Sequence, residues 1–234
     1  MNDHFNSPAF KGALIDYYYL LGKNYPEKET LKLVSNRYRL TRVQRTLLFR
    51  GITSKSNALL RKAKQVPLES LAGNPLHVDG YNVLFGIMNY LLGKPVFIGN
   101  DGIVRDSGGA YGKIENREIF DKAAHLLVEF IRLRNIENVT LYLDQPVTDS
   151  DSHKKTLEKK MQQEKVNGEI RLLPSVDRRL KQKNHGVIAT SDSEIIDATS
   201  CKILDLARHV LENAYAITIL DLGSLVENSS SEEC

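Results

Sequence analysis

His77-Val-Asp-Gly-Tyr-Asn-Val-Leu84 sets the reading of this chain. The apolar run from Leu71 to Val78 delivers an acid, Asp79, followed at once by Gly80 and three residues later by Asn82. A helix-like segment begins near Val83. The pattern predicts a buried first strand of an open α/β sheet, in which ligands gather just past the carboxyl ends of the strands. Gly80 permits a sharp exit there, and Asp79 and Asn82 can point oxygens into the crevice. A lone acid in that position is as compatible with a helix N-cap as with a ligand. The acids that follow change that balance.

Downstream of Leu84 the chain alternates between helical and extended patterns. A helix is expected to Leu92, closed by Gly93. A hairpin is expected over Pro95–Ile98 and Ile103–Arg105, turned by Asn100-Asp-Gly102. Arg105-Asp-Ser-Gly-Gly-Ala-Tyr-Gly112 is the most glycine-rich stretch and suits a loop over the cleft; it lacks the Lys-Ser/Thr ending of a P-loop. Then come a helix over Asn116–Arg134, a strand Val139–Leu143 ending in Asp144, and a charged helix Asp151–Lys165. A strand Gly168–Leu173, a short helix capped by Ser175, and a strand Gly186–Ala189 follow. A helix over Ala198–Glu212 and a last strand Ala216–Leu220 complete the body. Such alternation predicts a parallel sheet with helices on both faces.

The front of the chain reads differently. Apolar residues at helical spacing over Pro8–Leu21, Pro26 at a helix start, a capping box at Thr41–Gln44, and a segment Asn57–Gln65 stopped by Pro67 predict a small all-helical module. The expected division is residues 1–70 for this module, 71–226 for the α/β body, and 227–234 for a polar, frayed tail. Charge divides along the same line. Residues 1–70 hold 13 Lys/Arg against 5 Asp/Glu, a net of +8, and residues 71–234 hold 19 against 24, a net of −5. A basic front on an acidic body suggests a polyanion at one and cations at the other, or two solvated surfaces of opposite sign. Arg37, Arg39, Arg42, Arg45 and Arg50 cluster around the module's central turn, and Arg105 adjoins the glycine loop. Guanidinium groups suit bidentate phosphate contacts, so these six form the expected nucleic-acid surface. A helical cap with its cationic rim in water is the competing reading.

Apolar content of 41% and charged content of 26% are ordinary for a globular protein. No run approaches the roughly 18 apolar residues of a membrane span. The N-terminus lacks a secretory pattern, and Cys201 and Cys234 have no metal-type spacing, so a reducing cytoplasm is the expected compartment. A homodimer is compatible with the sequence.

Asp79, Asp144 and Asp192 each lie just beyond an expected strand. In a parallel sheet those ends share one edge, and Asp177 enters from the same side on the helix after the third strand. Clustered carboxylates need a compensating cation to stay ionised together. An oxygen-only ligand set favours Mg²⁺ or Mn²⁺ over zinc, and such an ion activates water against a phosphodiester.

Val78-Asp-Gly-Tyr-Asn-Val83 resembles the opening motif of PIN-like nucleases, in particular of the NYN branch. Val187-Ile-Ala-Thr-Ser-Asp192 resembles that group's strand-to-acid motif. The resemblance spans roughly residues 75–222 and implies a PIN-like parallel five-stranded sheet, a divalent-metal site of three or four acids, and cleavage of single-stranded or structured RNA. By position, Asp79 would be the first metal ligand, Asn82 its orienting neighbour, Asp192 the later ligand, and Asp177 the acid of the preceding helix. Asp177-Arg-Arg179 stands where the family often has paired acids, and residues 95–112 look like an insertion. The basic helical front joined to such a body resembles uncharacterised proteins found mainly in archaea.

The expected activity is therefore a metal-dependent endoribonuclease with the helical module gripping RNA. Asp79, Asn82, Asp144, Asp177 and Asp192 would form its catalytic set, with Asp79, Asp177 and Asp192 on the ion. The alternatives are a catalytically inactive PIN-like binding or regulatory module, and a phosphatase or nucleotide hydrolase using the glycine loop.

Overall fold

The structure is a computed structural model that describes residues 5, 7–108, 114 and 116–231, with side chains through residue 227. In chain order the first elements are α1 (Pro8–Gly22), α2 (Glu27–Arg37), α3 (Arg42–Gly51), α4 (Lys55–Lys64) and a 3₁₀ turn at Leu68–Leu71. Next come β1 (Leu76–Asp79), α5 (Gly80–Leu91), β2 (Val96–Ile98), β3 (Val104–Asp106), α6 (Arg117–Leu133), β4 (Val139–Asp144), α7 (Ser150–Gln163) and β5 (Gly168–Leu173). The chain ends with α8 (Val176–Lys181), β6 (Val187–Ala189), α9 (Ser193–Ala198), β7 (Lys202–Leu204), α10 (Leu206–Ala214), β8 (Leu220–Asp221) and α11 (Leu222–Ser231). The expected glycine-rich loop falls outside the described residues between 109 and 113, as does Cys234. No helix among the described residues is long and apolar enough to cross a membrane.

Two compact units divide the chain, and they do not follow chain order. One comprises residues 1–63, 95–107 and 218–234; the other comprises residues 64–94 and 108–217. The first unit joins the N-terminal helices to a small sheet ordered β3-β2-β8, in which β2 is antiparallel to β3 and parallel to β8. Its core holds Phe10, Leu14, Tyr17, Leu47 and Leu48 together with Phe97, Leu222 and Val226. Each fully buried side chain of that size contributes roughly 1.5–3 kcal/mol relative to exposure. Ser7 caps α1, and both arms of the expected Thr41–Gln44 capping box are made, at 3.2 and 2.9 Å.

The second unit is a five-stranded parallel sheet ordered β5-β4-β1-β6-β7, flanked by helices. β1 sits at its centre, paired with β4 through Leu76↔Val139 to Asp79↔Tyr142 and with β6 through Leu76↔Val187 to Val78↔Ala189. Side chains alternate across a strand, so His77, Asp79, Thr140 and Tyr142 share one face while Leu76, Val78, Leu141 and Leu143 share the other. The four aliphatic residues are fully buried. Helices α5, α6, α7 and α10 pack with one another, and α8 packs with α9 and against β1 and β4.

Four expectations are corrected. β1 is shorter than the run Leu71–Val78, because Leu68–Leu71 closes a 3₁₀ turn instead. The single helix expected over Ala198–Glu212 is α9, β7 and α10: Asp205 caps α10 by accepting the Arg208 N–H at 3.2 Å, which frees Lys202–Leu204 to pair with β6. The last strand is not the fifth strand of the main sheet; that place belongs to β7, and β8 pairs with β2 in the other unit. The polar tail is helical to Ser231, continuing a helix whose Leu222 and Val226 are buried.

Candidate active site

Asp79 is the last residue of the central strand, and α5 starts on the next residue. No room exists for a side chain at position 80. A Cβ there would lie 2.6 Å from Leu143 Cδ2 and 2.7 Å from the Tyr142 carbonyl oxygen. Glycine lets the chain turn from strand to helix against β4, and that turn fixes where the Asp79 carboxylate sits.

Thr190, one residue past β6, organises the site. Its hydroxyl donates to Asp79 Oδ2 at 2.8 Å and accepts the Asp192 N–H at 3.1 Å. Asp192 in turn caps α9, with Oδ1 accepting the Glu194 N–H at 2.7 Å. From α5, Asn82 Oδ1 accepts both the Ser191 N–H at 2.8 Å and the Ser191 hydroxyl at 2.9 Å. Thus the loop Thr190-Ser-Asp192 is tied to the β1–α5 turn at two points. Asp144 ends β4 and accepts the Val176 N–H at 3.0 Å, which holds the start of α8 against the same edge. Asp177 is half-buried on the first turn of α8 and has no hydrogen-bond partner among the described residues. Lys181 pairs with Glu194 at 2.9 Å, linking α8 to α9.

The carboxylates act on one another. Burial, followed by the charges of Asp192, Asp177 and Asp144, pushes the Asp79 carboxyl up to about 8 against the opposing hydrogen bond from Thr190. Asp177 is raised as well, first by burial and then by Asp192 and Asp144, while Lys181 pulls the other way. His77 sits two residues before Asp79 and within 3.4 Å of the Tyr142 hydroxyl through Nδ1. Burial, then Lys183, pushes it down to about 4, so it is a neutral ring near neutral pH. Lys183 Nζ lies 5.6 Å from the centroid of the Tyr142 ring.

All five residues expected to form the catalytic set are thereby placed at the carboxyl edge of β1, β4 and β6 or on the helix entering it. Whether they suit an ion is a question of donor type and spacing. The donors are carboxylate oxygens alone, which suits a hard cation. Among the described residues, however, no three His, Cys, Asp or Glu side chains converge as a metal-binding group.

The six arginines separate into two groups. Arg39 and Arg42 are exposed, Arg37 is exposed with a 3.7 Å contact to Asp16, and Arg45 is exposed with Nε on the Leu40 carbonyl. Arg105 is buried and held bidentate by Asp101, at 2.7 and 2.8 Å. Asp101 would be raised by burial, but Arg105 and then Arg61 outweigh it and hold the carboxyl below its ordinary range. Arg50 donates to the Asp106 carbonyl at 2.8 Å and lies 3.4 Å from its carboxylate. Arg50 and Arg105 therefore brace the first unit internally. Thr190, Ser191, His77, Tyr142 and Lys183 were not singled out as site residues in the sequence. The first two lie inside the second motif, where a hydroxyl before a strand-end acid was a readable signal.

Residues 68–209 match the family described as a domain of unknown function, DUF5616, and residues 9–64 match a protein of unknown function, DUF434. An uncharacterised protein of Methanocaldococcus jannaschii, MJ0935, is 33% identical over 205 residues, covering 87% of this chain and 97% of that protein. No solved structure matches the chain.

Proposed function

The chain belongs to the DUF5616 family, and from its own residues we propose that it is a metal-dependent endoribonuclease hydrolysing RNA phosphodiester bonds at the aspartate cluster. The observation that carries this reading is the gathering of Asp79, Asp144, Asp177 and Asp192 at one sheet edge, where burial first and the three neighbouring charges after it push the Asp79 carboxyl up to about 8. Ionising such a group costs stability, and perturbed acids gathered at one sheet edge are a mark of function. The resemblance of Val78–Val83 and Val187–Asp192 to PIN-like, NYN-branch motifs adds the reaction class. Asp79 ends β1 and Asp192 follows the neighbouring β6, and the Thr190 hydroxyl bonds to the carboxylate of the first and the backbone N–H of the second.

In this reading Asp79, Asp177 and Asp192 are the residues that would hold Mg²⁺ or Mn²⁺, and the ion would supply a water of lowered pKa and offset charge on the phosphodiester. Thr190 fixes Asp79 and the Asp192 backbone in one geometry, and Asn82 anchors the loop between them. The attacking water's proton passes to solvent, since an ion on Asp79, Asp177 and Asp192 would lower the proton affinity of those carboxylates. The water oxygen bonds to phosphorus as one ester P–O bond breaks, and the leaving oxygen takes a proton from solvent. The exposed Arg37, Arg39, Arg42 and Arg45 supply RNA phosphate contacts on the helical unit.

A second reading, an inactive nucleic-acid-binding module, is favoured by one observation. Asp144 and Asp192 each already serve as a backbone acceptor at a helix start. Incubating labelled single-stranded RNA with the protein in Mg²⁺, Mn²⁺ or EDTA separates the two. Metal-dependent products support the nuclease; salt-sensitive binding with no products supports the module. Hydrolysis confined to small phosphate esters and insensitive to salt would support neither.

A further inference from the structure

A concavity between α2 and α3 places an exposed aromatic ring beside two guanidinium groups. It measures about 360 Å³ and is lined by Leu31, Leu40, Arg42, Arg45, Thr46 and Phe49. The local sequence builds it. α2 ends in a Schellman turn: Arg39 takes a left-handed φ of 51°, its N–H donates to the Asn36 carbonyl at 3.3 Å, and the Leu40 N–H donates to the Ser35 carbonyl at 3.0 Å. Leu40 is buried there, and Thr41 caps α3 directly after it. On α3, Arg42, Arg45, Thr46 and Phe49 follow at helical spacing, so they share the face that lines the concavity with Leu31 and Leu40.

These side chains are placed for a ligand. Phe49 is 44% exposed and stacks on no other ring among the described residues. Arg42 is exposed and makes no ion pair among the described residues. Arg45 donates from Nε to the Leu40 carbonyl at 3.1 Å, which fixes the guanidinium at the concavity and leaves its terminal nitrogens for a ligand. The Thr46 hydroxyl donates to the Arg42 carbonyl at 3.1 Å and keeps its lone pairs to accept. None of the six lining residues is acidic, and residues 1–70 carry the net +8. An aromatic wall, an aliphatic floor and two cations suit a nucleobase stacked on the ring with its phosphates on the guanidinium groups. The volume falls near the lower end of ligand pockets, roughly 300–1,000 Å³. That fits one planar base better than a partner helix, whose anchors at i, i+4 and i+7 need a longer apolar groove.

We infer that Phe49, with Leu31 and Leu40, holds a splayed-out base of single-stranded RNA while Arg42 and Arg45 hold the flanking phosphates. The inference rests on the nuclease reading for the choice of RNA, and it adds that the helical unit engages unpaired bases as well as the phosphate backbone. Every base offers a π face, so the subsite selects for single strands and not for sequence. A duplex keeps its bases stacked inside and reaches Arg42 and Arg45 only through phosphates.

The test is fluorescence anisotropy of a short labelled oligouridylate titrated with the full chain in EDTA over a range of salt. A labelled RNA duplex and a labelled Glu/Leu-rich amphipathic peptide are titrated in parallel. Parent protein is compared with Phe49→Ala, Phe49→Tyr, Arg42→Ala/Arg45→Ala and Leu33→Ala, the last an exposed apolar residue of α2 outside the concavity. Phe49→Ala is expected to bind the single strand about 10-fold more weakly, the worth of one lost stack, with an unchanged salt slope. It should bind the duplex as the parent does. Phe49→Tyr keeps the ring and should bind as the parent, as should Leu33→Ala. The arginine double variant should bind both RNAs more weakly. Its log–log salt slope on the single strand should be shallower by roughly 1.4, at about 0.7 per phosphate contact. Parental binding of the single strand by Phe49→Ala, or an equal loss on the duplex or in Leu33→Ala, overturns the subsite. So does a parent that ignores RNA and takes the peptide through Phe49. None of these results touches the acid cluster, whose cleavage with Mn²⁺ is read separately. Phe49-dependent binding by a parent that cleaves nothing supports the subsite and removes the nuclease.

Discussion

Asp79→Asn is expected to stabilise the α/β unit near pH 8 while removing its chemistry. Burial, then Asp192, Asp177 and Asp144, push the Asp79 carboxyl from its ordinary 3.8 up to about 8. Between those values the folded protein keeps a proton that the unfolded chain releases. This contribution to stability is therefore complete below about pH 4 and is lost as pH rises through the folded value. A displacement of about four pH units, at about 1.4 kcal/mol each, sets a ceiling of roughly 6 kcal/mol. Relaxation and water entry should leave a third of that, on the order of 2 kcal/mol. Asparagine copies the neutral acid in shape, since its Oδ1 can still accept from Thr190 and its amide can donate toward the neighbouring carboxylates. The variant should melt about 4–8 °C above the parent at pH 8 and at the parent's temperature near pH 4. Calorimetric scans from pH 4 to 8.5 in EDTA measure this directly. Added Mn²⁺ should raise the parent's transition and narrow the gap, because only the parent offers the full carboxylate set. A variant less stable than the parent at pH 8, or a gap that does not shrink toward pH 4, refutes the electrostatic argument.

Other substitutions probe the parts that hold this acid in place. Thr190→Val leaves the Asp192 N–H and one Asp79 oxygen without their shared partner; a loss of roughly 1–3 kcal/mol in urea unfolding is expected, with cleavage reduced about 10- to 100-fold. Asn82→Ala releases both bonds to Ser191 and should cost about 1–3 kcal/mol, with faster amide exchange at Ser191 and Asp192 as its signature. Gly186→Ala forces a side chain into a left-handed backbone against the Pro75 carbonyl, and a destabilisation of about 1–3 kcal/mol read from thermal melts is expected. A Gly186→Ala protein as stable as the parent would contradict the packing described at that position.

Much of this molecule is legible in its sequence because local signals and tertiary demands agree. The Thr41–Gln44 box, the strand Gly168–Leu173 and the Asn100–Gly102 turn each have only one economical reading, and each is found in place. β7 was hidden because Ile203, Leu204, Ala207, Val210 and Leu211 also fall at helical spacing, so only the Asp205 cap betrays the break. The pairing of β8 with β2 joins residues more than a hundred positions apart, and no local pattern encodes it. At the site, the acids announced themselves by their position at strand ends. The Thr190 bridge did not, since a hydroxyl acquires that role only when β1 and β6 lie side by side. Arg105 illustrates the opposite error. Beside a glycine-rich stretch it reads as a phosphate ligand, yet Asp101 four residues earlier takes both arms of its guanidinium.

The most direct measurement of the central claim is single-turnover cleavage of labelled single-stranded RNA in Mn²⁺ by the parent, Asp79→Asn and Asp192→Asn proteins, with EDTA added at mid-course. The account predicts products from the parent that stop forming when EDTA is added, and a rate at least roughly 100-fold lower in both variants. Cleavage that continues at the parental rate in either variant would contradict the assignment of the reaction to this aspartate cluster.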